Sequence, residues 1–272
     1  MSIRYTVKNT FCILFTLLTL HSFSQGRVDG FYKGKGNTDI VLGGGAEFSS
    51  IYFAGRDKLN LARTIYNANI FVAIGLFDNL DVYLAAPYVV INSEQSVQDG
   101  SVFLKLKAWN KAFDKGNLTI SLAAGVSSNL ADYQTEGASA IGQEAKVIDI
   151  RPVVHYFSKN GWFCTTQAAY NYKSDPTPAA FAASLKVGKA TGKHYFDFWY
   201  DHQTSFGGLD YRGTPRPSTF RELGVDFHKV GATYYRPLFD RLGFFLGTSY
   251  VVTGRNVSQG IGVNLGFVLK SN

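Results

Sequence analysis

Residues 64–92 place two alternating runs back to back. In the first, Tyr66, Ala68, Ile70, Val72, Ile74 and Leu76 alternate with Asn67, Asn69, Phe71, Ala73 and Gly75; in the second, Val82, Leu84, Ala86, Tyr88 and Val90 alternate with Asp81, Tyr83, Ala85 and Pro87. Period two means strands with two unlike faces. Between the runs sits Asp78-Asn79, whose short side chains bond back to the local backbone and tolerate turn dihedrals. The stretch predicts a tight hairpin. The same punctuation recurs at Phe113-Asp114-Lys115-Gly116 and at Phe239-Asp240-Arg241-Leu242-Gly243, so the chain reads as a string of hairpins.

Alternating runs fall at 38–48, 64–77, 80–92, 100–112, 117–129, 147–157, 161–173, 180–190, 193–206, 219–235, 241–253 and 258–270, which makes twelve strands. Most match the roughly 9–11 residues of a tilted bilayer-crossing strand better than the roughly 5–6 of a globular one. Their connections alternate in kind. Short turns lie around Asp78-Asn79, Asp114 to Gly116, Ser158 to Asn160, Thr191-Gly192 and Leu238 to Asp240; generally longer or more polar loops lie at Ser49 to Arg63, Asn92 to Asp99, Leu130 to Lys146, Ser174 to Ala179, Gly207 to Ser218 and Gly254 to Val257. Short turns at one end and loops at the other describe an outer-membrane barrel. Long strands in lipid must close on themselves, because a bilayer solvates no unpaired backbone.

Parity assigns the faces. Even positions carry Leu104, Leu106, Leu118, Ile120, Leu122, Val126, Ile148, Ile150, Phe196, Phe198 and Leu246, whereas the eighth strand is odd, with Phe181, Leu185 and Val187. A short turn whose paired positions sum to an odd number requires that swap. The apolar faces place Tyr66, Tyr88, Tyr170, Tyr172, Tyr200 and Tyr250 at the loop end and Tyr156, Trp162, Phe196 and Phe244 at the turn end, two aromatic girdles around an apolar band. The last strand is odd too, and its Phe267 is the expected aromatic for recognition by the barrel-assembly machinery. In the tenth strand Leu223, Val225 and Phe227 disagree in parity with Val230, Ala232 and Tyr234, which predicts a bulge near His228-Lys229.

The opposite faces give the expected lumen: Lys105, Lys107, Asp149, Arg151, Lys186, Asp197, Asp201, Glu222 and Asp226, with Trp109, His155, Gln167, Asn171 and Lys173 beside them. A turn at Thr191-Gly192 sets Lys186 opposite Asp197, with Asp201 up the wall near Glu222 and Asp226. That cluster reads either as a structural salt bridge or as a charged constriction that screens solutes.

No apolar run outside the N-terminus reaches the ~18 residues of a membrane helix. Residues 1–24 read as a cleaved export signal, with Arg4 and Lys8 ahead of Phe11 to Leu20 and small Ser22 and Ser24 near the cut. Residues 25–37 are the expected periplasmic lead-in and 38–270 the barrel, placed in the bacterial outer membrane. The chain carries 27 basic against 20 acidic residues; without Arg4 and Lys8 the net charge falls from +7 to +5. The basic residues form no stripe, so nucleic acid is not an expected partner; scattered near strand ends, they suit the phosphates of outer-membrane lipid and lipopolysaccharide.

His155, His194, His202 and His228 show no metal-ligand spacing, and none has a Ser two residues away, the arrangement that outer-membrane lipid hydrolases use. No cofactor and no catalytic residue are expected. The segments Gly75-Leu76-Phe77-Asp78-Asn79-Leu80-Asp81-Val82 and Ala86-Pro87-Tyr88 resemble the hairpin of the meta-pathway phenol-degradation family of outer-membrane transporters. The resemblance implies a barrel and uptake of small hydrophobic compounds. Three functions stay open: a passive channel or transporter for small solutes, hydrophobic or aromatic ones among them; a structural or surface-binding barrel with a plugged lumen; and a lipid-acting hydrolase.

Overall fold

The computed structural model describes residues 28–271; the expected export signal lies outside them. The strands are β1 (Thr38–Ala54), β2 (Asp57–Phe77), β3 (Leu80–Ile91), β4 (Glu94–Val97), β5 (Asp99–Phe113), β6 (Gly116–Asn129), β7 (Val147–Ser158), β8 (Trp162–Lys173), β9 (Ala180–Ala190), β10 (Tyr195–Ser205), β11 (Asp226–Pro237), β12 (Leu242–Arg255) and β13 (Val257–Lys270). Each of the long strands pairs antiparallel with its neighbours, β1 joins β13, and β2 joins β3, so the sheet closes on itself. The stub β4 pairs only with the end of β3 and leads into β5, leaving twelve staves in a closed antiparallel barrel.

The wall is apolar outside. Leu104, Leu122, Val126, Ile148, Ile150, Phe198 and Leu246 stand exposed at even positions, and Phe181, Leu185, Ile261 and Phe267 at odd ones, as the parity required. The odd neighbours Phe103, Lys105, Ala123, Asp149 and Val153 are buried. A ring of exposed aliphatic side chains on strands this long belongs in lipid. Among the described residues no helix is long and apolar enough to cross a membrane.

Four expectations need correction. The loop expected from Ser49 to Arg63 is the tip of the β1–β2 hairpin, which turns at Gly55 with φ 65; a register shift between Ser49 and Ile51 breaks the alternation that sequence reading follows. The strand expected at 219–235 begins only at Asp226, after a short 3₁₀ turn over Phe220–Glu222. The expected irregularity does fall at His228/Lys229, but the extra residue is Val252 on the neighbouring strand, since His228 pairs with Thr253 and Lys229 with Val251. Trp109 faces outward instead of into the barrel, because a register shift between Lys107 and Trp109 reverses the parity of the end of β5.

The largest departure is the lead-in. Residues 28–37 do not trail into the periplasm; they fold up into the turn end of the barrel, where Val28 is buried against Ala73, Tyr83, Phe103, Ala123 and Val153. The core of the molecule lies there. An interior lined partly by Tyr83, Phe103 and Phe163 is a poor wall for water, and the segment covers it.

Candidate functional site

The inward segment is held residue by residue. Lys105, fully buried, donates from Nζ to the carbonyls of Asp29 (2.8 Å) and Phe31 (2.6 Å), lies 3.4 Å from Asp81 Oδ2 and sits 3.9 Å from the centroid of the Tyr32 ring. Asp81 in turn accepts from the backbone N–H of Lys33 and from the Tyr83 hydroxyl. Gln167 Nε2 donates to the Val28 carbonyl, and the Tyr32 hydroxyl donates to Ser121 Oγ at 2.8 Å. Phe31 packs edge-on against His155, Phe157 and Phe163. Below it the chain turns through Gly34 and Gly36, both at φ 80, and bonds to the β2–β3 hairpin through Gly36 N–H to Gly75 O (2.8 Å) and Gly75 N–H to Asn37 O (2.9 Å). A Cβ at Gly75 would collide with the Gly34 carbonyl, so the glycine ahead of the Asp78-Asn79 turn serves this close approach.

The segment leans on β3 to β8 and leaves space on the other side. A cavity of about 380 Å³ lies between Val28, Asp29, Phe31 and Lys33 and the wall of β9 to β13, β1 and β2. Phe71, Tyr195, Tyr235 and Phe245 supply its rings, Val41 and Val268 its aliphatic surface, and Asp29, Lys33, Asp39, Lys186, Asp197 and Lys270 its charges. Lys33 and Asp39 form a direct pair at 2.7 Å. The Lys186–Asp197 pair is looser, at 3.7 Å; Asp197 Oδ2 accepts from the Tyr195 hydroxyl at 2.5 Å, while Oδ1 is buried without a hydrogen-bond partner.

The register between these last two differs from expectation. Thr191 to His194 form a four-residue turn closed by Thr191 N–H to His194 O, so Lys186 stands opposite Trp199, and Asp197 opposite Gly188. The pair is therefore diagonal, reached by the length of the lysine side chain. Nor do the five expected charges make one patch. Asp201 bonds to Ser184 and lies opposite Lys229, which reaches Glu47 at 3.4 Å. Asp226 accepts from Ser205 N–H and Oγ–H at the loop end. Glu222 is not in the lumen: it lies half-buried in the loop after β10, where the Ser218 hydroxyl and backbone N–H hold its carboxyl below the usual range. Of the other expected residues, Asp149 and Arg151 form a buried pair at 2.6 Å that also engages Gln167, and Lys107 donates to the Asp78 carbonyl beneath the Tyr32 ring. Asp29, Tyr32, Lys33 and Asp81 were missed as interior residues; of these Asp81 stands directly opposite Lys105 on the inward face of β3 and β5.

The loop end is also covered. Gln143 Nε2 donates to the carbonyls of Phe220, Arg221 and Leu223, Arg221 Nε donates back to the Gln143 carbonyl, and Glu136 caps Thr219 and Phe220. Loops 130–146 and 206–225 are thus knitted together, and Ile141 packs on Val89 and Ile91 inside the rim.

Four imidazoles meet hydroxyls: His194 Nδ1 lies 2.7 Å from the Tyr234 hydroxyl and His228 Nδ1 2.6 Å from the Tyr200 hydroxyl, and two more meet threonines. His155 Nδ1 lies 2.7 Å from Thr165 Oγ1, sealed beneath Phe31; His202 Nε2 lies 2.9 Å from Thr204 Oγ1 on the outer face, with His202 Nδ1 against the Phe227 carbonyl and the His228 ring tilted against it, centroids 4.5 Å apart. The hydroxyls are two threonines and two tyrosines, and no carboxylate or amide side chain backs any of the four rings in these contacts, so none of the pairs has the three-part layout of an acyl-transfer site. Among the described residues no three His, Cys, Asp or Glu side chains converge to hold a metal.

No family model matches the sequence, and no curated protein matches it. Solved structures do. An outer membrane channel from Pseudomonas putida F1 superimposes with a TM-score of 0.71 at 13% identity, covering 89% of this chain and 99% of that one. The NanC porin gives 0.55 at 10% identity over 85% of this chain and 98% of that one. Outer membrane phospholipase A from Escherichia coli gives 0.45 at 11% identity, too distant to bear on chemistry. At these identities the likeness establishes architecture: the chain has the fold of the outer-membrane β-barrels.

Proposed function

We propose that the chain is an outer-membrane channel that passes small solutes by diffusion along a lumen narrowed by its own N-terminal segment. The observation that carries this reading is the cavity between that segment and β9 to β13, a space inside a lipid-facing barrel with both rings and charges on its wall. Its mixture of Phe71, Tyr235 and Phe245 with Lys186 and Asp197 suits solutes with an apolar or aromatic body and one polar end. Among the described residues the imidazole–hydroxyl contact inside the barrel, His155 with Thr165, is sealed beneath Phe31, out of reach of a substrate entering the cavity. Phe267, outward near the end of the last strand, supports recognition by the barrel-assembly machinery.

Ion selectivity tests the path. Charges on a narrow, low-dielectric wall act on a passing ion more strongly than the same charges on an open surface. Lys186→Gln leaves Asp29 and Asp197 facing the cavity and is expected to shift the reversal potential under a salt gradient toward cations. Asp197→Asn is expected to shift it toward anions. Identical reversal potentials for the native protein and both variants, in channels that conduct, would show that the pair is only a structural bridge outside the path.

A further inference from the structure

The basic residues that the interior does not use are unevenly placed. At the turn end, β9 to β12 present Lys189, Lys193, Arg236 and Arg241 on the outside of the barrel or in its turns, with Asp240 as the local carboxylate. Lys189 is the cross-strand neighbour of both Trp162 and Phe196, and its ammonium lies 5.6 Å from the centre of the Trp162 ring. Arg236 is exposed opposite Phe244, which packs on Phe267. Cations therefore alternate with the rings of the turn-end girdle, at the depth where lipid phosphates lie.

The loop end differs. There Arg255 is bound to Asp210 and Lys229 to Glu47, and the cations Arg56, Lys58, Lys146, Lys173, Arg212 and Arg216 are offset by Asp57, Glu94, Asp99, Asp132, Glu136, Glu144, Asp175 and Glu222. The positive excess of the mature chain is concentrated at one rim.

We infer that the turn-end rim of β8 to β13 is a binding face for anionic phospholipid headgroups, such as phosphatidylglycerol, held between Lys189, Lys193, Arg236 and Arg241 above the Trp162–Phe196 pair. A lipid fits better than a soluble partner because the cations stand on the lipid-facing side of the wall, level with the girdle, and are spread over adjacent strands as headgroups in a leaflet are. The rings seat the glycerol region and the cations take the phosphates.

The chain carries its own reporter. Trp162 and Trp109 are exposed while Trp199 is buried in the wall, so a Trp109→Phe protein reads lipid contact through Trp162 alone. Reconstituted into phosphatidylcholine bilayers containing brominated phosphatidylglycerol or brominated phosphatidylcholine, it gives the relative affinity of the two lipids at this face from quenching. The expected result is a preference for phosphatidylglycerol of about fivefold or more at low ionic strength, from roughly a fivefold gain per cation close to the surface, falling toward one at ~0.5 M salt. Lys189→Gln, Lys193→Gln, Arg236→Gln and Arg241→Gln together are expected to abolish it, and neutralising Lys58, Arg212 and Arg216 at the loop end to leave it unchanged. Should the fourfold variant fail to fold, Lys193→Gln with Arg241→Gln, both in turns, is expected to reduce the preference by at least half. Equal quenching by the two lipids in the parent protein, or a preference that survives both the variants and salt, would overturn the inference.

Discussion

Lys105→Met is expected to release the N-terminal segment and raise the conductance. The lysine makes two charge-assisted hydrogen bonds to the carbonyls of Asp29 and Phe31 in a site from which water is excluded. At about 1.5–3 kcal/mol each, their loss shifts the ratio of seated to released segment by about 100-fold or more. Methionine keeps the length and apolar stem of the side chain and leaves nothing for the carbonyls to accept. The change also strands Asp81, which then lacks its cation 3.4 Å away. Pairing it with Asp81→Asn removes that charge and separates release of the segment from damage to the barrel. Single-channel records in planar bilayers are expected to show larger, longer openings for both variants; records like the native protein's would mean that Lys105 does not hold the segment.

Ile120→Arg and Ser121→Arg, one residue apart on β6, are expected to fail in different ways. Ile120 is 38% exposed on the outer wall and Ser121 3% exposed on the inner one. An arginine at 120 meets acyl chains near mid-bilayer and is expected to cost about 2–4 kcal/mol in the unfolding free energy measured by urea titration in vesicles. At 121 the arginine points into the barrel, so the wall should lose no more than about 1 kcal/mol. It cannot coexist with the Tyr32 hydroxyl that donates to Ser121 Oγ, so the segment is displaced and conductance rises. Equal destabilisation by both substitutions, or the reverse order, contradicts the assignment of faces.

The wall was legible because its chemistry repeats every second residue. Lipid on one side and a protein-filled lumen on the other force alternation, so Leu104, Leu122 and Ile150 could be set outward and Lys105, Asp149 and Arg151 inward from position alone. Reading failed where a register shift interrupts the period. Trp109 lies just past one such shift, and the β1–β2 tip straddles another. Long polar loops carry no period at all, which is why Glu222 was drawn into a strand it never joins. Lys186 and Asp197 were paired correctly as charges but two residues out in register, because a turn of two residues and a turn of four leave the same parity. The inward segment was the greatest loss. Asp29-Gly30-Phe31-Tyr32-Lys33-Gly34-Lys35-Gly36 is short, glycine-rich and without period, and its meaning lies in long-range contacts to Lys105, Asp81, Ser121 and Gln167. A signal was present all the same: Tyr83, Phe103 and Phe163 face inward, and an interior lined with such rings calls for something apolar to cover them.

On the channel reading proposed above, residues 28–37 narrow the lumen of a conducting outer-membrane barrel. The most direct test compares the refolded native protein with one lacking residues 28–36, each inserted in planar lipid bilayers at matched protein and salt concentrations. The expected result is small, brief conductance steps from the native protein and steady steps at least several-fold larger from the shortened one, with heat-modifiable migration on gels showing that both barrels are folded. Equal steps from two folded barrels, or no current from either, would contradict it.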